Sequence, residues 1–149
     1  MFCRASQFAF VLAGLLAACA SGPKFAEVSA TFPALAAGHG RVFFCRLWNP
    51  LGLIRDYSIQ FAGKDIGEAR NGTFFYIDMP AGDYLVRMTD GQSLVKVAPG
   101  AQSYVFAGLV SRPGYGVTFM DVAPRTVDSA SGFECVSRNR FDGDLSRSK

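Results

Sequence analysis

The chain holds one histidine and one tryptophan in 149 residues, together with four cysteines. A lone histidine, His39, cannot supply a two-histidine metal site, and no CxxC pair or HExxH stretch can be written, so neither a zinc site nor any other metal centre is expected. No GxSxG elbow occurs, and a Ser-His-Asp triad would have to recruit His39, which lies between Gly38 and Gly40 without a rigid mount. The glycines at 63, 67, 72, 82, 91, 100, 108, 114 and 116 fall between strand-like segments, not at the head of a helix. They read as turn formers and not as a phosphate cradle, so no cofactor is expected. A surplus of one charge is also missing. Fifteen Lys and Arg against twelve Asp and Glu leave a net charge of +3, too little for the basic surface by which proteins hold nucleic acid.

Long apolar runs are absent too. The run from Phe8 to Ala20 is well short of the roughly 20 residues that cross a bilayer. With Arg4 before it and small residues at its end, it has the build of an export signal. It closes in Leu16-Ala17-Ala18-Cys19, which resembles the lipobox of bacterial lipoproteins: an aliphatic residue, two small ones, then a cysteine. The resemblance implies that residues 1–18 are a signal peptide that is removed. Cys19 would then carry diacylglycerol and palmitate-type chains and tie the chain to a membrane. An ordinary secretory signal cut near Ala18 is the plainer alternative, though it leaves the placement of Cys19 unexplained. Ala20 in place of Asp implies, by the same resemblance, the outer membrane, most readily its periplasmic face. Two or more acyl chains would hold firmly, since each buried methylene contributes about 0.8 kcal/mol.

Loss of the signal leaves enough chain for one domain. Half of the residues are hydrophobic and fourteen are Phe, ample material for a packed core. Cys3 leaves with the signal and Cys19 is alkylated, so Cys45 and Cys135 are the remaining thiols. They suffice for one disulfide, which on the chain-entropy account stabilises by roughly 4 to 5 kcal/mol. The other reading is two unrelated thiols, one in a strand and one in a loose tail.

Residues 19–40, rich in Ala, Ser, Gly and Pro, read as a tether about 25 Å long if flexible. Phe25, Val28, Phe32 and Leu35 fall at helical spacing and allow a short amphipathic piece that packs on the domain or on lipid, with Pro33 against a long helix. From Arg41 the pattern turns to short runs of Val, Phe, Tyr and Ile broken by Gly, Pro, Asn and Asp, an all-β signature. Strands are expected near 41–48, 57–62, 66–69, 73–79, 83–89, 93–97, 101–110 and 115–122, with hairpin signals at Asn71-Gly72 and Asp90-Gly91. About seven to eight short strands with no long helix between them predict an antiparallel β-sandwich over 41–122. Residues 123–149 read as a polar tail, with a short helix conceivable around Val127 to Val136.

The order of the blocks Arg41-Val42-Phe43-Phe44-Cys45-Arg46, Ile59-Gln60-Phe61-Ala62-Gly63-Lys64-Asp65-Ile66-Gly67 and Asn71-Gly72-Thr73-Phe74-Phe75 resembles small bacterial lipoproteins that carry the domain of unknown function 2846. The turns at Met79-Pro80-Ala81-Gly82-Asp83-Tyr84 and Val97-Ala98-Pro99-Gly100 agree with it. The resemblance implies a β-sandwich behind a lipid anchor and carries no activity and no catalytic residue. Position 45 departs from it, holding Cys where an aromatic is expected.

Binding is the remaining function class, with an envelope protein or the cell wall as the expected partner. Phe43, Trp48, Phe74, Tyr76, Tyr104, Phe106, Tyr115 and Phe119 exceed what one sheet face hides. They either fill the core or leave an aromatic patch. The candidate binding loops are Asn49–Asp56, where Trp48 and Arg55 flank an apolar Leu51-Gly52-Leu53-Ile54, and Ser111–Tyr115, with Arg112 and Tyr115. Two rivals stay open. A glycan hydrolase would use a carboxylate pair, Asp65 with Glu68 or Asp78 with Asp121, and a carrier of small apolar ligands would need a cavity between the sheets.

Overall fold

The computed structural model describes residues 22–50, 55–89, 91–114 and 117–143, with 112–114 and 117–120 as backbone only. The expected signal peptide, the expected lipobox residues Leu16, Ala17 and Ala18, Cys19, Tyr115 and residues 144–149 lie outside the described residues.

Alternation decides the inner layer. In β2 (Tyr57–Phe61) every second residue is buried, the period-2 pattern of a strand with one face on a core. β3 (Lys64–Ala69), β5 (Gly82–Met88) and β6 (Gly91–Val97) join it in a four-stranded sheet of order β3-β2-β5-β6. The facing sheet has the order β8-β7-β1-β4-β9, from β1 (His39–Arg46), β4 (Thr73–Pro80), β7 (Gln102–Gly114), β8 (Val117–Val127) and β9 (Arg140–Phe141). The two sheets form a β-sandwich. Pairing is antiparallel except for β1 with β7 and β4 with β9, where the chain returns to the sheet after a detour.

The core between the sheets is built on Val42, Phe44, Ile59, Phe61, Phe75, Val86, Val95, Val105 and Val122. A gap there lined by Phe44, Ile59, Ala69, Phe75 and Ala107 has no volume for a water molecule, so packing and not a ligand cavity fills this part of the interior.

β1 is buried from Gly40 through Arg46 without alternation, because the five-stranded sheet is covered on its outer face as well. Phe43, Cys45, Phe74, Tyr76 and Tyr104 form a second core there, closed by Phe25, Val28 and Phe32 from the N-terminal side and by Cys135 and Val136 from the C-terminal side. The covering layer consists of α1 (Phe25–Val28), a 3₁₀ turn (Ser29–Thr31) and α2 (Ser129–Arg138). Asp128 caps α2 by accepting from the Ser131 amide at 2.9 Å, which holds its carboxyl below the ordinary aspartate value.

Three expectations need correction. Residues 22–36 are no free tether: the chain is fastened by Phe25 and Phe32, by the Pro33 carbonyl, which accepts from Arg41 at 2.8 Å, and by the Pro23 carbonyl, which accepts from the Phe141 amide at 2.8 Å. The sheet does not end at 122 but runs through Val127; α2 falls where a short helix was conceivable, and with β9 it packs on the sheet instead of forming a solvated tail. Asn71-Gly72 closes no hairpin. β3 pairs with β2 and β4 with β1, so this turn carries the chain between sheets, with Gly72 at φ 73° and its amide donating to the Arg46 carbonyl at 3.1 Å.

Candidate binding surface at the Trp48 end

Where β1 stops at Arg46, the next two side chains turn outward. Leu47 is 48% exposed and Trp48 62%, a pair of large apolar groups left in solvent. Their mount is rigid. The Asn71 side chain accepts from the Asn49 amide and donates to the Asn49 carbonyl, both at 2.9 Å, and any side chain added at Gly72 would meet the Trp48 ring at 3.2 Å. Gly72 is thus needed twice, for its left-handed backbone and for the ring beside it.

Arg46 supports the same end from beneath. It is buried, donates to the carbonyls of Arg55 at 2.8 Å and Ala69 at 2.9 Å, and lies over the Tyr57 ring at 5.0 Å. Burial lowers its pKa from the ordinary arginine value. The Arg55 guanidinium stands 5.7 Å from the same ring. Of the sequence candidates, then, Trp48 and Arg55 fall at one end of the sandwich, joined through Arg46 and Tyr57. Residues 51–54 between them lie outside the described residues, as does the side chain of Arg112. The Arg112 backbone sits three positions beyond Leu109 on β7, about 10 Å farther along the strand.

Beside Trp48 runs a groove of about 270 Å³, lined by Arg46 to Asn49 on one side and by Phe106 to Leu109 on the other. It opens because β1 and β7 part company. Their parallel pairing ends at Cys45 with Phe106, whereas β7 continues to Gly114 against β8 alone among the described strands. No family model, curated protein or solved structure matches the chain.

Asp78 and Asp121 do not assemble as a glycan hydrolase needs. Asp78 faces Arg41, with Nε at 2.7 Å from Oδ1 and a terminal nitrogen at 2.8 Å from Oδ2. That hydrogen bond raises the Arg41 pKa further, against the lowering effect of burial. Arg41 also lies 4.3 Å over the Tyr76 ring and 5.4 Å over Phe32. Asp121 turns back on its own backbone, accepting from the Val122 amide at 2.8 Å. In the sheet order Asp78 on β4 and Asp121 on β8 are separated by β1 and β7, about 14 Å sideways. The registers Arg41 with Gln102 and Asp121 with Val110 add about 26 Å along the strands, against the roughly 5 to 9.5 Å that a glycosidase pair requires. Asp65 accepts from the Ser58 hydroxyl at 2.6 Å and the Gly67 amide at 3.1 Å, and Glu68 pairs with Arg70 at 3.3 Å.

His39 is the first residue of β1, opposite Pro80, with Nδ1 at 3.1 Å from the Ala37 carbonyl. It therefore sits on a strand and not in a linker. No group of three potential metal ligands occurs among the described residues.

Cys45 and Cys135 are bridged, their Cα atoms 6.3 Å apart. The Asn139 amide nitrogen donates to Cys45 Sγ at 3.0 Å, to the Arg46 carbonyl at 3.1 Å and to Cys135 Sγ at 3.4 Å. Sequence reasoning misses Asn139, since nothing local marks a buried amide, and it misses Arg41, whose partners lie on distant segments.

Proposed function

We propose that this chain is a lipid-anchored, non-catalytic β-sandwich that serves as an adaptor or structural component of the bacterial envelope, held through Cys19 at the periplasmic face of the outer membrane. The likeness of its turn blocks to lipoproteins carrying the domain of unknown function 2846 belongs to the same proposal. The observation that carries it is the Leu47–Trp48 shelf: two large apolar side chains exposed on a mount fixed by Asn71, Gly72 and Arg46. A stiff aromatic presented in this way suits contact more than chemistry. The candidate carboxylates, by contrast, serve cross-strand and turn structure.

Cross-linking of the intact lipoprotein in living cells, with affinity recovery and mass spectrometry, tests the reading. It expects a reproducible envelope protein or peptidoglycan fragment whose recovery falls when Trp48 and Arg55 are both changed to alanine. Recovery of bulk lipid and abundant envelope proteins alone, the same for both forms, would contradict it.

A further inference from the structure

We infer that the partner meets this chain as an extended peptide segment, added as a strand to the open edge of β7 between Ala107 and Ser111. This rests on the reading of the Trp48 end as the surface that receives an envelope protein. The Arg41 amide donates to the Ala101 carbonyl at 2.9 Å, and Arg41 is opposite Gln102. In a parallel pair both backbone groups of every second residue point to the same neighbour, so the odd residues of β7 turn their N–H and C=O towards β1. The even residues turn theirs towards β8. The register of β1 on β7 stops at Cys45 with Phe106, which uses the Ala107 amide and nothing beyond it. The Ala107 carbonyl and both backbone groups of Leu109 and Ser111 then face a lane where no described residue bonds to them.

Pro113 closes that stretch. It is the next residue whose backbone faces the lane, and it has no N–H to offer, which confines proline to sheet edges. The window therefore holds the carbonyls of Ala107, Leu109 and Ser111 and the amides of Leu109 and Ser111, spread over about 13 Å. Alternating carbonyls and amides at strand spacing are what another peptide backbone satisfies and a glycan does not. Elsewhere the molecule blunts such an edge. On β6, the last strand of the four-stranded sheet, Thr126 Oγ1 donates to the Leu94 carbonyl at 2.9 Å and Ser103 Oγ to the Lys96 carbonyl at 2.7 Å. An edge left open invites pairing with another chain. The groove of about 270 Å³ beside this window has Leu47, Trp48, Phe106 and Leu109 in its walls. Side chains at alternate positions of the added segment meet that apolar surface while its backbone pairs with β7. The occupant is thus a run of about five residues from an envelope protein, free of proline and apolar at every second position.

Amide exchange of the purified full chain, followed by NMR, reads the window directly. The Leu109 and Ser111 amides are expected to exchange at least about a hundredfold faster than those of Gly108 and Val110, which pair with β8. Equal protection at positions 109, 110 and 111 means that the chain fills the lane itself, and overturns the inference. Ser111→Pro then removes a donor from the lane without touching the β8 ladder, and unchanged exchange at Val110 and Ala123 checks that the sheet is intact. The cross-linking in living cells is repeated with this variant. The inference expects recovery of the envelope protein to fall about tenfold, and the cross-linked segment of that protein to be free of proline and apolar at alternate positions. Recovery that falls when Trp48 and Arg55 are changed but is the same for Ser111→Pro overturns strand addition and leaves the surface standing. A peptidoglycan fragment or a second copy of this chain in place of the envelope protein overturns the choice of occupant. Bulk lipid and abundant proteins alone overturn both readings.

Discussion

Ala62 holds φ at 52° in the two-residue turn between β2 and β3, followed by Gly63 at 79°. A left-handed backbone costs a residue with a Cβ about 1 kcal/mol or more, a cost that asparagine largely escapes. Ala62→Asn is therefore expected to raise stability by about 0.5–1 kcal/mol in urea unfolding, with no change of fold. Arg41 makes the opposite demand. Its side chain is 8% exposed and depends on Asp78, which is itself a quarter exposed. Asp78→Ala leaves the guanidinium with the Pro33 carbonyl and two rings, at an expected cost of about 2–3 kcal/mol. Because Arg41 also holds Pro33, amide exchange should speed up across residues 22–36. At this scale the sequence is half legible. Asp78 stands out as a charge in an aromatic strand, but its partner lies 37 positions away, and spacing alone cannot pair residues so distant.

The strands are the most legible elements, since each is followed within three residues by Gly, Pro, Asn or Asp and β2 alternates strictly. What local pattern cannot convey is which strands are neighbours. Asn71-Gly72 has hairpin chemistry yet joins two sheets, because the partners of β3 and β4 are chosen by burial of Phe74 and Phe75 on opposite faces, one in each core. The covering layer is only faintly legible for a related reason: Phe25, Val28 and Phe32 are spaced for a packing helix, but α2 has a weak, Ser-rich sequence that becomes a helix where Cys135 and Val136 find an apolar face. Gly132 marks that contact. A Cβ there would fall inside the Tyr104 ring, so Gly132→Ala sets a helix-propensity gain of about 1 kcal/mol against overpacking of about 1–3 kcal/mol. Net destabilisation is the expected result, read as a lowered unfolding midpoint and faster exchange in α2 than in β1.

For the whole molecule, one bridge ties the last helix to the central strand across 90 residues. Replacing Cys45 and Cys135 together by alanine should cost about 4–5 kcal/mol on the chain-entropy account. Loss should appear first in α2 and β9, which cover the outer face, while the core between the sheets persists. The aromatic surplus finds its explanation at this scale as well. Phe43, Phe74, Tyr76 and Tyr104 face a second core and not solvent, whereas Trp48 remains outside. Two filled cores leave Trp48 as an exposed, rigidly mounted ring, and the proposed anchor at Cys19 is what would hold that ring in the envelope. The measurement that tests this most directly is the mass of the mature N-terminus, taken on protein extracted from cell membranes after growth with a labelled fatty acid. The account predicts a chain beginning at Cys19 with diacylglyceryl and acyl mass on that residue, and no label in Cys19→Ala. A mature chain without acyl mass, or label that survives the Cys19→Ala change, would contradict it.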